Sequence, residues 1–257
     1  MTDDRTFLRM LFDAAVAASK PAACMPLWLE DRPKGNVIVI GAGKAAAAMA
    51  ASIEQQWAAP LTGLVIVPYG HSAECDHIEV VEAGHPVPDE NGVAATRRIL
   101  DMVSNLTADD TVVCLFSGGG SSLLCAPADG VTLEEKKAAT AELLRSGASI
   151  QEINQARRDL SAVKGGKLGA ACAPAQVITL IISDVPGNDP SVVASGPTVV
   201  DAASALENDV RVLATSDDAL QAAALRALES DVNPYILGDL AGDARELANQ
   251  HARLAID

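Results

Sequence analysis

The sequence predicts an α/β fold, a three-layer Rossmann-like and mainly parallel sheet with helices on both faces. Three observations carry this. Short apolar runs rich in Val, Ile and Leu, such as 37–40, 64–67 and 112–116, alternate with helical patterns. Several of these runs end in loops of Gly, Pro, Ser, His or Asp, the composition expected where strands deliver ligand-binding loops. Hydrophobic residues reach 49%, much of it alanine, while aromatics are 3%, which suits helices packed closely on a sheet.

The elements follow in order. The first segment carries a helical stripe of Phe7, Leu8, Leu11, Phe12, Ala15 and Val16. With its early acids it reads as neither a signal peptide nor a spanning segment. Residues 36–57 read as strand, glycine turn and helix. Strands follow at 63–70 and from 77 into a Pro-rich loop, then a helix over 90–104 and a strand over 111–116. Helical patterns cover 132–145 and 150–161. The strongest buried strand is 175–185, rich in Ile and Val between Pro174 and Pro186. A helix over 217–229, a short strand over 234–239 and a helix over 242–255 complete the pattern.

With 257 residues the chain has room for one large domain, or one domain and part of another. A formal net charge of −15 disfavours nucleic-acid binding, which needs a basic surface to displace counterions. It does not bar an anionic ligand, because screening confines surface charge to roughly 8 Å. The five cysteines are odd in number and lack any C-x-x-C, so a reduced, cytoplasmic protein without disulfides or structural zinc is expected.

The chemistry is expected on the loops 41–44, 84–89, 117–122 and 184–198, which a parallel sheet places beyond its carboxyl ends. The stretch 41–46, GAGKAA, matches G-x-G-x-x-A, but the following strand ends in Pro68-Tyr69-Gly70 and lacks the ribose-binding acid of a dinucleotide site. A phosphate-binding P-loop also fails, with Ile38 where the first glycine is required and Ala45 after the lysine. What remains is an amide-rich helix start with Gly43 and Lys44, a cation placed against the helix dipole. The loop Ser117, Gly118, Gly119, Gly120, Ser121, Ser122 has the same form and reads as a nest of N–H donors for an anion, or as a tight structural turn. Asn154, Arg157, Ser161 and Lys164 are spaced for one helical face that ends at Gly165 and Gly166. Asp184 stands at the end of the most buried strand; Asp189, before Pro190 and Ser191, also reads as a helix cap. His85 precedes Pro86 in an extended loop. GGGSS is not the G-x-S-x-G elbow, so a hydrolase is disfavoured.

Taken together, VIGAGKAA, GHPVPDENG, LFSGGGSSLL, INQARRDLSAVKGGKLG and ISDVPGNDPSVVASGPT closely resemble the class II glycerate 2-kinases, whose members often carry the name hydroxypyruvate reductase. The resemblance implies ATP-dependent phosphorylation of D-glycerate to 2-phosphoglycerate, with Mg²⁺, in a cleft between a Rossmann-like domain and a smaller second one. It makes Lys44, Asp184 and Asp189 catalytic, with Asp184 also the metal ligand. Ser117–Ser122, Lys164, Gly165 and Gly166 would contact the nucleotide, and Gly43, His85, Asn154, Arg157 and Ser195 the substrate. The family's GGE turn and GRGGRNQE-like stretch do not occur, and only 199–213 fill a segment that is longer in the family. Residues 1–257 are therefore expected to be its N-terminal domain alone. D-glycerate and a nucleotide are the expected partners, with neither nucleic acid nor membrane, and a homo-oligomer among the assembly states. The alternatives are an NAD(P)H-dependent hydroxypyruvate reductase and an inactive metabolite-binding fragment.

Overall fold

A computed structural model of the chain describes residues 3–27, 32–33, 35–57, 61–146, 150–199, 208–238, 240 and 242–256. The chain divides into two units, residues 20–214 and residues 1–19 with 215–257.

The larger unit opens with a short helix α2 (Pro21–Cys24), which follows α1 (Asp4–Ser19) of the other unit. Six strands follow: β1 (Val37–Ala42), β2 (Thr62–Pro68), β3 (Ile78–Ala83), β4 (Thr111–Phe116), β5 (Gln176–Ile182) and β6 (Asn208–Ala214). They form one sheet in the order β3-β2-β1-β4-β5-β6, and every pairing is parallel. The strand order reverses between β1 and β4, which makes the crevice beyond those two strand ends the switch point where such sheets bind ligands. β1 and β4 are buried at every position, which is why their sequences read as unbroken apolar runs.

Alternate residues of the strands feed two cores. Ile38, Ile40, Val112, Cys114, Phe116 and Ile181 pack on one face with α4 (Glu90–Met102), α5 (Gly120–Leu123) and α8 (Lys167–Ala171). Val39, Val65, Val113, Leu115 and Leu180 pack on the other with α3 (Ala46–Gln56). The expected three layers are thus present. Helices α6 (Leu133–Ser146) and α7 (Ile150–Asp159) pack on each other. In the smaller unit α9 (Ser216–Leu228) packs on α1, and α10 (Ala244–Ile256) follows. No helix among the described residues is long and apolar enough to cross a membrane.

Three expectations need correction. Residues 234–238 form no strand; 239 lies outside the described residues. The sixth strand is instead Asn208–Ala214, read from sequence as part of a shortened connection. It is an edge strand, half-buried over its first five residues, so polar Asn208, Asp209 and Arg211 interrupt the apolar signal. Finally, α7 stops at Asp159, so Ser161 and Lys164 do not continue the helical face of Arg157: Ser161 forms an isolated bridge to Pro127, and Lys164 lies in the turn that follows.

Candidate active site

The loop after β1 sits against the loop after β4. Gly43 has φ 145°, and a Cβ there would stand 2.7 Å from the Ser117 carbonyl oxygen, so only glycine permits the approach. The amides of this loop all have protein acceptors. Gly43 N donates to Ile66 O (3.0 Å), Lys44 N to Gly118 O (2.8 Å) and Ala46 N to Gly43 O (3.1 Å). Ala45 N donates to the buried Ser117 Oγ at 3.0 Å, which serves the start of α3 in place of a side-chain cap of its own. The loop is therefore a clasp between strands and not an anion cradle. Gly43 is not built to receive substrate through its amide, and Ser117 holds the clasp.

The three glycines after Ser117 lack side chains for three different reasons. A Cβ on Gly118 would overlap the Asp184 carboxylate. One on Gly119, whose φ is 86°, would stand 2.8 Å from His85 Nε2 and 3.6 Å from Lys44 Cε. One on Gly120 would stand 2.8 Å from both Ala194 Cβ and Ala42 O. The loop is thus the seat on which Lys44, His85 and Asp184 meet, from the ends of β1, β3 and β5. Among the described residues, no acceptor takes the amides of Gly118, Gly119 and Ser121. These donors are free for an anion, unlike those of residues 43–46. Burial, then the charges of Lys44 and His71, lower the His85 pKa, with Asp184 opposing, which favours the neutral imidazole.

A cavity of about 460 Å³ opens beside this seat. His85–Pro88 line one side, and Gly119, Ser121 and Ser122 another. Lys136, Lys137, Thr140 and Ala141 of α6, with Arg157 and Lys164, complete it; among the described residues no Asp or Glu lines it. Lys164 is 2% exposed. Its Nζ donates to Ser121 O and, at 2.6 Å, to Ser121 Oγ. Burial is the main cause that pushes its pKa down to about 7, and the charges of Lys136 and Arg157 add to it. Lys136 is 5% exposed, donates to Leu160 O at 2.8 Å and is also shifted down by burial. Burial likewise lowers the pKa of half-buried Arg157.

The segment 194–196 closes the far side of the glycine loop. Ala194, Ser195 and Gly196 are successive left-handed residues, a strain of about 1–3 kcal/mol for each non-glycine. Gly165 N and Gly166 N hold them by donating to Ser195 O (3.1 Å) and Gly196 O (2.7 Å). Those two amides are therefore unavailable to a nucleotide, and the glycine pair acts as a brace. Ser195 Oγ lies 2.9 Å from Ser121 Oγ, next to Lys164. Asp189 Oδ1 accepts from Ser191 N at 2.8 Å, so that side chain closes its own turn. Asn154 lies on α7, and its side chain is outside the described set. Lys136 and Lys137 were not legible as site residues: within a Glu134-Glu135-Lys136-Lys137 run on a helix they read as a solvated face.

Among the described residues, no three His, Cys, Asp or Glu side chains converge to hold a metal ion. The exposed Asp184 carboxylate over Gly118 could supply one ligand to a cation whose other oxygens come from phosphate and water, the coordination Mg²⁺ favours.

The family model described as a domain of unknown function, DUF4147, matches residues 7–229. A D-glycerate 2-kinase of Thermotoga maritima is 48% identical over 189 residues, 72% of this chain and 45% of that protein. A protein of Agrobacterium vitis provisionally named hydroxypyruvate reductase is 43% identical over 98% of this chain and 66% of its own length. The crystal structure of a glycerate kinase from Thermotoga maritima matches with a TM-score of 0.80 at 34% identity, covering 90% of this chain and 64% of that one. The chain spans 45–66% of the length of these relatives.

Proposed function

We propose, from the premise that the chain belongs to the DUF4147 family, that it carries the phosphoryl-transfer surface of a glycerate 2-kinase. The γ-phosphoryl of ATP would pass to the 2-hydroxyl of D-glycerate, giving 2-phosphoglycerate and ADP. One observation carries the reading: a cavity lined by Lys136, Lys137, Arg157 and Lys164 together with apolar residues, and by no carboxylate among the described residues, lies near the switch point of the sheet, beside the amides of Gly118, Gly119 and Ser121.

Phosphoryl transfer asks mainly for positioning and charge neutralisation. The Lys44 stem passes over Gly119, which puts its ammonium within reach of a phosphoryl group seated on those amides. Asp184, over Gly118, suits the glycerate 2-hydroxyl: it would orient the oxygen that bonds to phosphorus and take its proton as the bond to the ADP oxygen breaks. Mg²⁺, held by Asp184 with phosphate oxygens, would supply further neutralisation of the phosphate charge. Neutral His85 would serve as a hydrogen-bond donor or acceptor at the same seat.

The test is titration calorimetry of the chain with MgATP and with D-glycerate, followed by an assay for D-glycerate-dependent ADP release. Phosphorus NMR of the product separates 2- from 3-phosphoglycerate. Saturable ATP binding and the 2-phosphate are expected. A chain that binds no ATP, or that oxidises NADH with hydroxypyruvate at a saturable rate, overturns the reading. The occupied amides of residues 43–46 already weigh against the dinucleotide alternative. Lys44→Ala should cut turnover about 10²–10³-fold, as loss of one preorganised electrostatic contact does. Its melting temperature should hold or rise, because a cation before the N-terminus of α3 opposes the dipole.

A further inference from the structure

We infer that Lys136 and Lys164 form a paired-cation site for the oligophosphate chain of a nucleoside triphosphate, and that the glycerate carboxylate does not bind there. The inference rests on the kinase reading and assigns the partner of one part of its site.

Both lysines are buried, and they come from separate elements, α6 and the turn before α8, to face one cavity. Their recorded partners are neutral oxygens, Leu160 O for Lys136 and Ser121 O and Oγ for Lys164. Among the described residues, no ion pair includes Lys136, Lys164 or Arg157, while Lys137 at the same cavity pairs with Glu134 at 2.9 Å. Buried cations without anions are unfavourable unless a partner arrives. In a chain with 34 acidic and 19 basic residues, a cavity lined by four basic side chains and, among the described residues, no acid is a marked departure. The ligand is the natural source of the missing charge.

Charge matching then selects the ligand class. Lys136 and Arg157 present two cations without acidic partners among the described residues, and Lys164, with a pKa near 7, becomes a third when it takes a proton. A glycerate carboxylate brings a single charge. A terminal phosphate brings about −1.5 to −2, and each further phosphate of a chain adds to it. Gly119 and Ser121, whose amides have no acceptor among the described residues, line the same space. The cavity of about 460 Å³ also falls in the range of small-molecule ligand sites, about 300–1,000 Å³.

Inorganic tripolyphosphate is the probe, titrated into the intact chain at fixed low salt, with D-glycerate titrated separately. Lys136→Met should lose about ten- to a hundredfold in tripolyphosphate affinity, the worth of a charged hydrogen bond, while Lys136→Arg keeps most of it. D-glycerate affinity should be unchanged in Lys136→Met, and D-glycerate should not displace tripolyphosphate. A second readout needs no variant. Lys164 sits among Lys136, Arg157 and Cys125 and is held near pH 7. An arriving anion should therefore protonate it, and at pH 8 the binding heat of the wild type should change with the ionisation enthalpy of the buffer. Lys164→Met should abolish that proton uptake. Wild-type affinity in a folded Lys136→Met chain, absence of proton uptake in the wild type, or displacement by D-glycerate each overturns the inference. Loss of tripolyphosphate binding in Lys136→Met beside a failed glycerate assay supports this site and overturns the reaction alone.

Discussion

Gly118, Gly119 and Gly120 are neighbours in sequence, yet each is kept bare by a different group: a carboxylate, an imidazole and a methyl. Gly43 is bare for yet another reason, its contact with Ser117. Gly43→Ala should therefore destabilise the chain by roughly 2–4 kcal/mol, combining backbone strain with overpacking. Gly187→Ala is the control: its φ is 79° but nothing lies within 4 Å of the new Cβ, so about 1 kcal/mol of strain alone is expected in urea denaturation. Lys164 yields a prediction with a definite sign. Its folded pKa of about 7 lies below the ordinary amine value, so between the two the unfolded chain holds the extra proton. Stability should rise with pH across that window, by up to about 1.4 kcal/mol per pH unit for this one group. The buried thiols act in the opposite sense once unfolded cysteines begin to ionise near pH 8.5, because burial holds Cys172 up to about 12. Denaturation at pH 7 and 7.8, before the thiols ionise appreciably, should thus show the gain in wild type and a smaller response in Lys164→Met.

Among the elements, strands and helices were legible where periodicity is strong. The run 111–116 became β4 with the boundaries the sequence indicated, since a central parallel strand is apolar on both sides. The edge strand β6 was missed because one flank meets no partner strand and tolerates Asp209 and Arg211. The helix α4 begins where the sequence indicated, and its cap explains why. Asp89 accepts from Gly92 N at 3.0 Å and from Tyr69 Oη at 2.7 Å. Asp89→Ala should cost about 0.5–2 kcal/mol by thermal or urea unfolding, the usual worth of such a cap. Because the cavity-lining segment His85–Pro88 runs directly into this cap, the same variant should also weaken tripolyphosphate binding.

For the whole molecule, the net charge of −15 and the basic residues lining the cavity pull in opposite directions, so specific anion binding depends on a local departure from a repulsive average field. None of the five cysteines forms a disulfide, and four are buried. Cys75 is the half-exposed one, yet burial first, then the charges of Glu54 and Asp76, raise its pKa to about 11. A disulfide reagent at pH 8 should therefore label the native protein slowly and at Cys75 alone, while unfolding in denaturant should release five fast-reacting thiols. Rapid native labelling at Cys114 or Cys172 would contradict the core described here. Reductant should leave the melting temperature unchanged.

The sequence by itself determined the fold class, most element positions and the loops that gather beyond the strand ends, because periodicity and glycine placement are local signals. It also brought forward Lys44, His85, Asp184 and Lys164, since each stands in a strand-end loop or a glycine-flanked turn. Only the tertiary structure decided which of two similar glycine loops keeps free amides. GAGKAA and SGGGSS look alike in sequence, but the donors of the first are taken by Ile66, Gly43, Ser117 and Gly118, residues that include partners up to 74 positions away. Likewise, nothing local distinguishes Lys136 from a solvated helix lysine. It becomes a buried cation because α6 lies beside the turn that carries Lys164, and burial is a property of what packs around a residue rather than of its neighbours in the chain.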